Sequence, residues 1–462
     1  MTKWSRTLAL ILSLFLVVSI VGCTSGSKEA KPTDTTTPAA QPEPAKAPDP
    51  VTLNMWIMPN SSQSEQDLLD TFKPFLDKNK HITIKVTVLD WGSAWTKITA
   101  AATSGEGPDL LQLGTTWVPA IAAMGALEPL SGKVSEVGGK DAFFPASWNT
   151  VSIAGDKEVY ALPWFLDVRA AYYRKDIFQK AGVDPNEAFK NWDSFKAALQ
   201  KINGTEIEGK KVAAIGFPGK NDWNVLHNVM PWVWAAGGAE LSSDNKASAI
   251  NSDAAVDGMM FYTGLAKEGL APLAVLEKNS ADVEQMFHVG DFAVTFAGPW
   301  LVRHYYTPAD KNGGADTIAA KNYAVAPIPE GPKGRFTFFG GSNLSVMKSS
   351  KHKKEAWEAL KFLQSKEAQL TYAKFSGMLP AQKSVEADMK AVNPNYAAFY
   401  EAAKYGRSYA PIPQWGAIEG IYVKHIATIW DMTAGVSGTY SRDGVKKVFE
   451  EAAKEATNLL KQ

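Results

Sequence analysis

The chain has one cysteine in 462 residues. No disulfide can form within it, so the fold must stand on its packed core. It has no surplus charge of either sign, with 48 Lys plus Arg against 48 Asp plus Glu. The missing basic surplus argues against nucleic acid or another polyanion as partner. The six histidines, His81, His227, His288, His304, His352 and His425, are scattered. None pairs at a metal-ligand spacing, so no metal or other cofactor is expected. There is no P-loop, no G-x-S-x-G and no H-E-x-x-H. "NSDAAVDG" (251–258) fails the calcium-loop spacing, and Ser252 there reads as a helix cap. There is no internal repeat. Past the first residues, no apolar run is long enough to span a membrane as a helix, which excludes a helical permease.

What is present starts at the first residues. "MTKWSR" supplies Lys3 and Arg6, and an uncharged apolar run follows from Leu8 to Val21. The run is short for a spanning helix and suits the core of a signal peptide. It ends in "IVGC", and this order of charge, apolar run, small residue and Cys23 resembles a bacterial lipobox. The expectation is a signal peptide over 1–22, cleavage before Cys23 and a lipid on its sulfur. Residues 24–50 are rich in Pro, Thr and Ala and hold no aromatic or large aliphatic side chain. They cannot bury enough to order themselves and read as a tether spanning roughly 30 Å. With Lys3 and Arg6 removed, the mature chain is slightly acidic.

The rest is long enough for two domains with real cores. "VTLNMWIM", "ITIKVTVLD" and "DLLQLG" read as strands, and "SEQDLLDTFKPFLDKN", "SAWTKITAAATSG" and "TTWVPAIAAMGAL" as the helices after them. Thr115 or Thr116 is expected to cap the third helix. Strand and helix in alternation predict a parallel α/β sheet. Ligands bind beyond the carboxyl ends of such strands, and those ends carry Asn60, Trp91, Thr115, Thr116 and Trp117. Amides and hydroxyls orient a neutral solute; indoles stack on it. "VAAIGFP" predicts another strand, followed by a helix with Trp223, Asn224 and His227 in its opening turns. "FAVTFAGPW" predicts a strand with Trp300 just beyond it, and "YAVAPIP" and "FTFFGGSNLSVMK" two more. From 352 onward the chain reads mostly helical. One helix starts after "PIPQ", with Trp415 and Glu419 one turn apart. There are fifteen tryptophans. Trp232, Trp234 and Trp357 read as helix packing, and Trp192 as the start of a helix.

"ALPWFLDVRAAYYRKDIF" (161–178) is mostly apolar yet holds Asp167 and Arg169. In an extended chain the two share a face, opposite Leu166, Val168 and Ala170. Such a pair is either a structural salt bridge or a polar contact for a ligand. Trp164 faces away from Asp167 unless Pro163 bends the chain.

The phrases "TSGEGPDLLQLGTTWVPAIAAMGALEPL", "LPWFLDVRAAYYRKDIFQKAG", "FAGPW", "GGSNLSVMKSSKHKKEAWEALKFL" and "PIPQWGAIEG", in that order, resemble the extracellular solute-binding proteins of carbohydrate ABC importers, the group that includes maltodextrin-binding protein. The resemblance covers nearly all of 51–462. It implies an α/β, type II periplasmic-binding-protein-like fold: two α/β lobes, a hinge crossed more than once, and a ligand cleft between them. The lobes are expected at 51–164 plus 328–392 and at 165–327 plus 393–462, after a lipidated and tethered 23–50. The resemblance puts the segment of Asp167 and Arg169 at the first crossing and matches Asp167 to a sugar-binding carboxylate. It matches Trp300 to an indole that stacks on a sugar. Gly341, Ser342 and Asn343 fall near the hinge. Trp415 and Glu419 both fall where an aromatic contact is expected, and the alternative stays open.

The implied function is that of a receptor, not an enzyme. It binds a mono- or oligosaccharide and passes it to the ABC permease subunits. A monomer is expected, lipid-anchored through Cys23 on the extracellular face of the cytoplasmic membrane, with no nucleic-acid partner. One alternative keeps the fold but binds a polyamine or glycerol phosphate. A polyamine needs several carboxylates in one cleft, and only two are placed by sequence. The other alternative is a glycoside hydrolase with Asp167 and Glu419 as its acid and base.

Overall fold

The computed structural model describes residues 49–222 and 224–461. The expected signal peptide, Cys23, nearly all of the tether and Trp223 lie outside the described residues.

Among the described residues twelve strands form two sheets. They are β1 (Val51–Ile57), β2 (Ile82–Val88), β3 (Leu110–Gly114), β4 (Leu162–Val168), β5 (Ala170–Arg174), β6 (Thr205–Ile207), β7 (Lys210–Gly216), β8 (Phe292–Ala297), β9 (Tyr323–Ala326), β10 (Thr337–Val346), β11 (Leu379–Pro380) and β12 (Gly406–Arg407). The first sheet runs β11-β4-β10-β3-β1-β2, with β12 paired to β10, and the second runs β6-β7-β8-β5-β9. As the strand and helix alternation predicts, β1 is parallel to β2 and β3. β10 runs antiparallel to both β3 and β4, which makes the sheet mixed. It arrives from far along the chain, out of reach of a pattern read between neighbours.

The chain changes sheets at Arg169, between β4 and β5, and changes back between β9 and β10. After β12 it leaves again, into the helix Trp415–Ala434, which packs on Val225–Ala236, Asp253–Lys267 and Arg442–Leu460. β4 and β10 lie close where the first crossing begins, with Asp167 opposite Gly340. A side chain at Gly341, whose φ is +129°, would place its Cβ 2.1 Å from the Phe165 carbonyl oxygen. Only glycine fits.

Local rules hold at several helix ends. Asp90 accepts from the Gly92 N–H and starts the helix Trp91–Ser104, which Gly105 ends in the left-handed region. Ser252 caps Asp253–Lys267 as expected. The expected cap by Thr115 or Thr116 is not made. The helix is Val118–Ala123, and Trp117 stands at its cap without a side-chain bond. Thr115 is instead drawn into the sheet, where its N–H donates to the Gly341 carbonyl at 3.1 Å. Trp192, Trp232, Trp234 and Trp357 are all buried, and Trp192 stacks on Phe261 at 4.1 Å.

Candidate functional site

Arg169 sits at the first crossing, only 3% exposed. Its Nη2 donates to Asp167 Oδ2 at 2.9 Å and to Asn224 Oδ1 at 2.8 Å. Asn224 immediately precedes the helix Val225–Ala236, so the second lobe meets the crossing at this contact. Asn224 is itself held, its N–H donating to Asp222 Oδ1 and its Nδ2 to Ser280 Oγ. The other Asp222 oxygen accepts from the Ser280 N–H. The Arg169 guanidinium lies over the Trp300 ring, 4.8 Å from its centroid. The ring rests on Gly298, where a Cβ would stand 1.9 Å from it. Trp300 Nε1 donates to Glu284 Oε1 at 3.0 Å.

This is a buried polar cluster with open valences. Asp167 is 8% exposed, and among the described residues its Oδ1 has no hydrogen-bond partner; nor has Arg169 Nε. Such atoms are costly unless something meets them. Burial raises the Asp167 pKa, against the pull of Arg169. Burial also pushes Glu284 up to about 7, with the Trp300 N–H and Arg169 acting the other way.

A second group adjoins the first. His227 stacks flat on Phe338 at 3.9 Å, and its Nδ1 meets Tyr409 OH at 2.9 Å. Tyr409 in turn stacks on Trp415 at 4.4 Å. Glu419 Oε1 stands 3.8 Å from His227 Nε2. Burial, and then Arg169, hold His227 well below its ordinary pKa, so the ring is neutral and the contact is no ion pair. Burial pushes Glu419 up to about 7. Trp415 is 1% exposed, whereas Glu419 is only partly covered. Beside Tyr409 a cavity of about 590 Å³ opens between Trp148–Asp156 and Glu240–Asn245.

The first lobe contributes two further sets. Asn60 Nδ2 donates to Gln112 Oε1 at 2.9 Å and to Tyr372 OH at 2.8 Å, and Gln112 Nε2 donates to Ser342 Oγ at 2.8 Å. Trp164 is buried and stacks on Tyr372 at 4.4 Å. Asn343 is fully buried, donating to Thr150 Oγ1, and its Oδ1 has no partner among the described residues. The other set is aromatic. Trp91 and Trp95 each lie 5.6 Å from Trp117. Trp95 reaches the opposite lobe, where a Cβ at Gly416 would stand 3.3 Å from its ring. Thr116 is half-buried at the same strand end.

The structure thus brings Asp167, Arg169, Asn224 and Trp300 into one contact chain, with His227, Trp415 and Glu419 beside it. Asn60, Ser342 and Trp164 stand in a separate buried network. Sequence reasoning missed Asp222, Glu284, Tyr409, Gln112, Tyr372 and Trp95. Gln112 carried a signal, a polar residue within an apolar strand. Trp95 did too, one turn after Trp91. Glu284, midway along a short helix, carried none. Among the described residues no three His, Cys, Asp or Glu side chains could hold a metal ion, and no helix is long and apolar enough to cross a membrane.

The profile of the family described as bacterial extracellular solute-binding protein matches residues 59–370. The diacetylchitobiose binding protein DasA of Streptomyces coelicolor is 29% identical over 413 residues, covering 86% of this chain and 88% of that protein. The maltodextrin-binding protein MdxE of Bacillus subtilis is 19% identical over 467 residues, covering 100% and 98%. An ABC transporter solute-binding protein of Thermotoga lettingae, solved with α-D-tagatose bound, superposes with a TM-score of 0.75 at 25% identity, covering 88% of this chain and 99% of that one. The fold is therefore the type II periplasmic-binding-protein-like one, two α/β lobes, as the sequence implied. The chain belongs to the bacterial extracellular solute-binding proteins, a family of ABC-transporter binding proteins with sugar-binding members rather than a family of enzymes.

Proposed function

We propose that the protein is a lipid-anchored receptor that binds an oligosaccharide between its lobes and delivers it to an ABC permease. The carrying observation is Asp167, buried at the crossing between the sheets, paired on one oxygen with Arg169 and with no partner on the other among the described residues. A sugar hydroxyl donating to Oδ1 would complete it. Relatives that bind diacetylchitobiose, maltodextrin and tagatose support a saccharide. In this reading Cys23 carries the lipid, the receptor stands on the extracellular face of the cytoplasmic membrane, and it acts as a monomer. The change of sheets at Arg169 supports a lobe boundary close to the one expected at 164/165. Asp167, Arg169, Asn224, Trp300 and Glu419 are the polar and stacking contacts. Trp91, Thr115, Thr116 and Trp117 form the wall of the first lobe. Asn60, Trp164, Gly341, Ser342 and Asn343 act from behind by shaping it.

A thermal-shift screen of the purified full-length protein against mono- and oligosaccharides, polyamines and glycerol phosphates tests this. Sugar at about a hundred times its dissociation constant is expected to stabilise by roughly 2.7 kcal/mol. No shift with any saccharide would overturn the reading. Two carboxyls near neutrality also suit glycoside hydrolysis, so the bound oligosaccharide is recovered and sized. A shortened product would favour the enzyme.

A further inference from the structure

We infer that the saccharide this cleft is built for carries a basic amine, as an amino sugar does. The inference rests on the sugar reading and names its class. Three carboxyl side chains gather around the crossing, Asp167, Asp222 and Glu284, and a fourth, Glu419, stands beyond them against His227. Sequence placed two. Their cations do not match them. Arg169 is the one cation in contact with the group among the described residues, and Asp167 takes its Nη2. Asp222 is satisfied by the backbone N–H groups of Asn224 and Ser280. Glu284 receives only the neutral indole N–H of Trp300. Glu419 faces His227, which burial keeps uncharged.

Glu284 and Glu419, both partly covered, therefore form no ion pair with a Lys or Arg among the described residues, although Arg169 still acts on Glu284 from a distance. A carboxyl withdrawn from water needs a proton or a cation. The shifts of both glutamates to about 7 show that a proton is only marginally held. A ligand ammonium would displace it and keep the carboxylates ionised. Asp167 Oδ1, buried and unpartnered beside them, is an independent sign that the ligand supplies donors here. An ammonium brings three donors and no acceptor, which suits a wall of carboxylate oxygens. The indole of Trp300 and the hydroxyl and amide groups nearby suit a sugar ring better than a linear chain.

The full-length protein in detergent is titrated by calorimetry at about pH 7 with matched disaccharides of glucosamine, N-acetylglucosamine and glucose, in both anomeric linkages, and with spermidine. The glucosamine form is expected to bind at least about ten-fold more tightly than its glucose counterpart. Equal or weaker binding of the glucosamine form overturns the inference and leaves the sugar reading standing. Binding of spermidine alone overturns both, as does binding of nothing. Glu284→Gln and Glu419→Gln are each expected to shrink the amine preference, with the circular dichroism spectrum and a cooperative melt as the control for folding. A preference that survives both substitutions overturns the assignment to these carboxyls.

Discussion

The indole of Trp300 holds three neighbours at once: Arg169 over its ring, Glu284 at its N–H and Gly298 against its benzene-ring atoms. One face is thus already taken by a guanidinium, and a sugar must share the ring with it or use the remaining surface. Trp300→Ala is expected to weaken saccharide binding by about 1–3 kcal/mol. Calorimetry on the folded variant checks it, and unchanged affinity would make the residue a structural support for Arg169. Glu284 and Glu419 bear on stability as well. Their folded pKa values, about 7, lie above the ordinary 4.5, so between those values the native state binds more protons than the unfolded one. Stability then falls as pH rises through this window. The ligand-free melting temperature is expected to decline from about pH 5 to about pH 8, and to decline less in a Glu284→Gln, Glu419→Gln double variant. At this scale the sequence made Asp167 and Arg169 legible because a charged pair is anomalous in an apolar strand. Glu284 was not legible, since its meaning comes from Trp300, sixteen residues on and in contact only through the fold.

The helix Trp415–Ala434 shows how an element spends its first turn. Gly416 is where Trp95 of the opposite lobe comes to rest, while Gly420, one turn later, has nothing within 4 Å of an added Cβ. Gly416→Leu is expected to hold the lobes apart and weaken ligand binding by about ten-fold, and Gly420→Leu to leave it unchanged. Titrating both variants with one saccharide decides the matter; equal affinities would remove any role for this contact in closure. The helix was readable from the apolar spacing of Ile418, Ile421, Tyr422, Ile426 and Ile429, all of them buried except Ile421, which is half-buried. The short Val118–Ala123 helix was readable as a helix but not in its cap, because Thr115 was claimed by β10, a strand more than two hundred residues later. Local propensity loses to a backbone bond that completes a sheet.

For the whole molecule, the alternation of strand and helix was enough to predict a parallel α/β sheet, because each βα unit is local, whereas the two-lobe arrangement came from the family resemblance. The antiparallel insertion of β10 was not legible, since register between distant strands leaves no local periodicity. The same holds for the cleft: its strand ends could be listed from sequence, whereas their grouping required both lobes to be in place.

The distribution of indoles has an optical consequence. Trp164, Trp232, Trp234, Trp415 and Trp430 are almost fully buried, so their emission is a constant background. Trp91, Trp95, Trp117 and Trp300 are only partly covered, and Trp95 lies against Gly416 of the opposite lobe. Separation of Trp95 from Gly416 would bring its ring into water and move its emission to longer wavelength. Lobe opening of the kind the proposed function calls for would thus be readable in a cuvette without a dye.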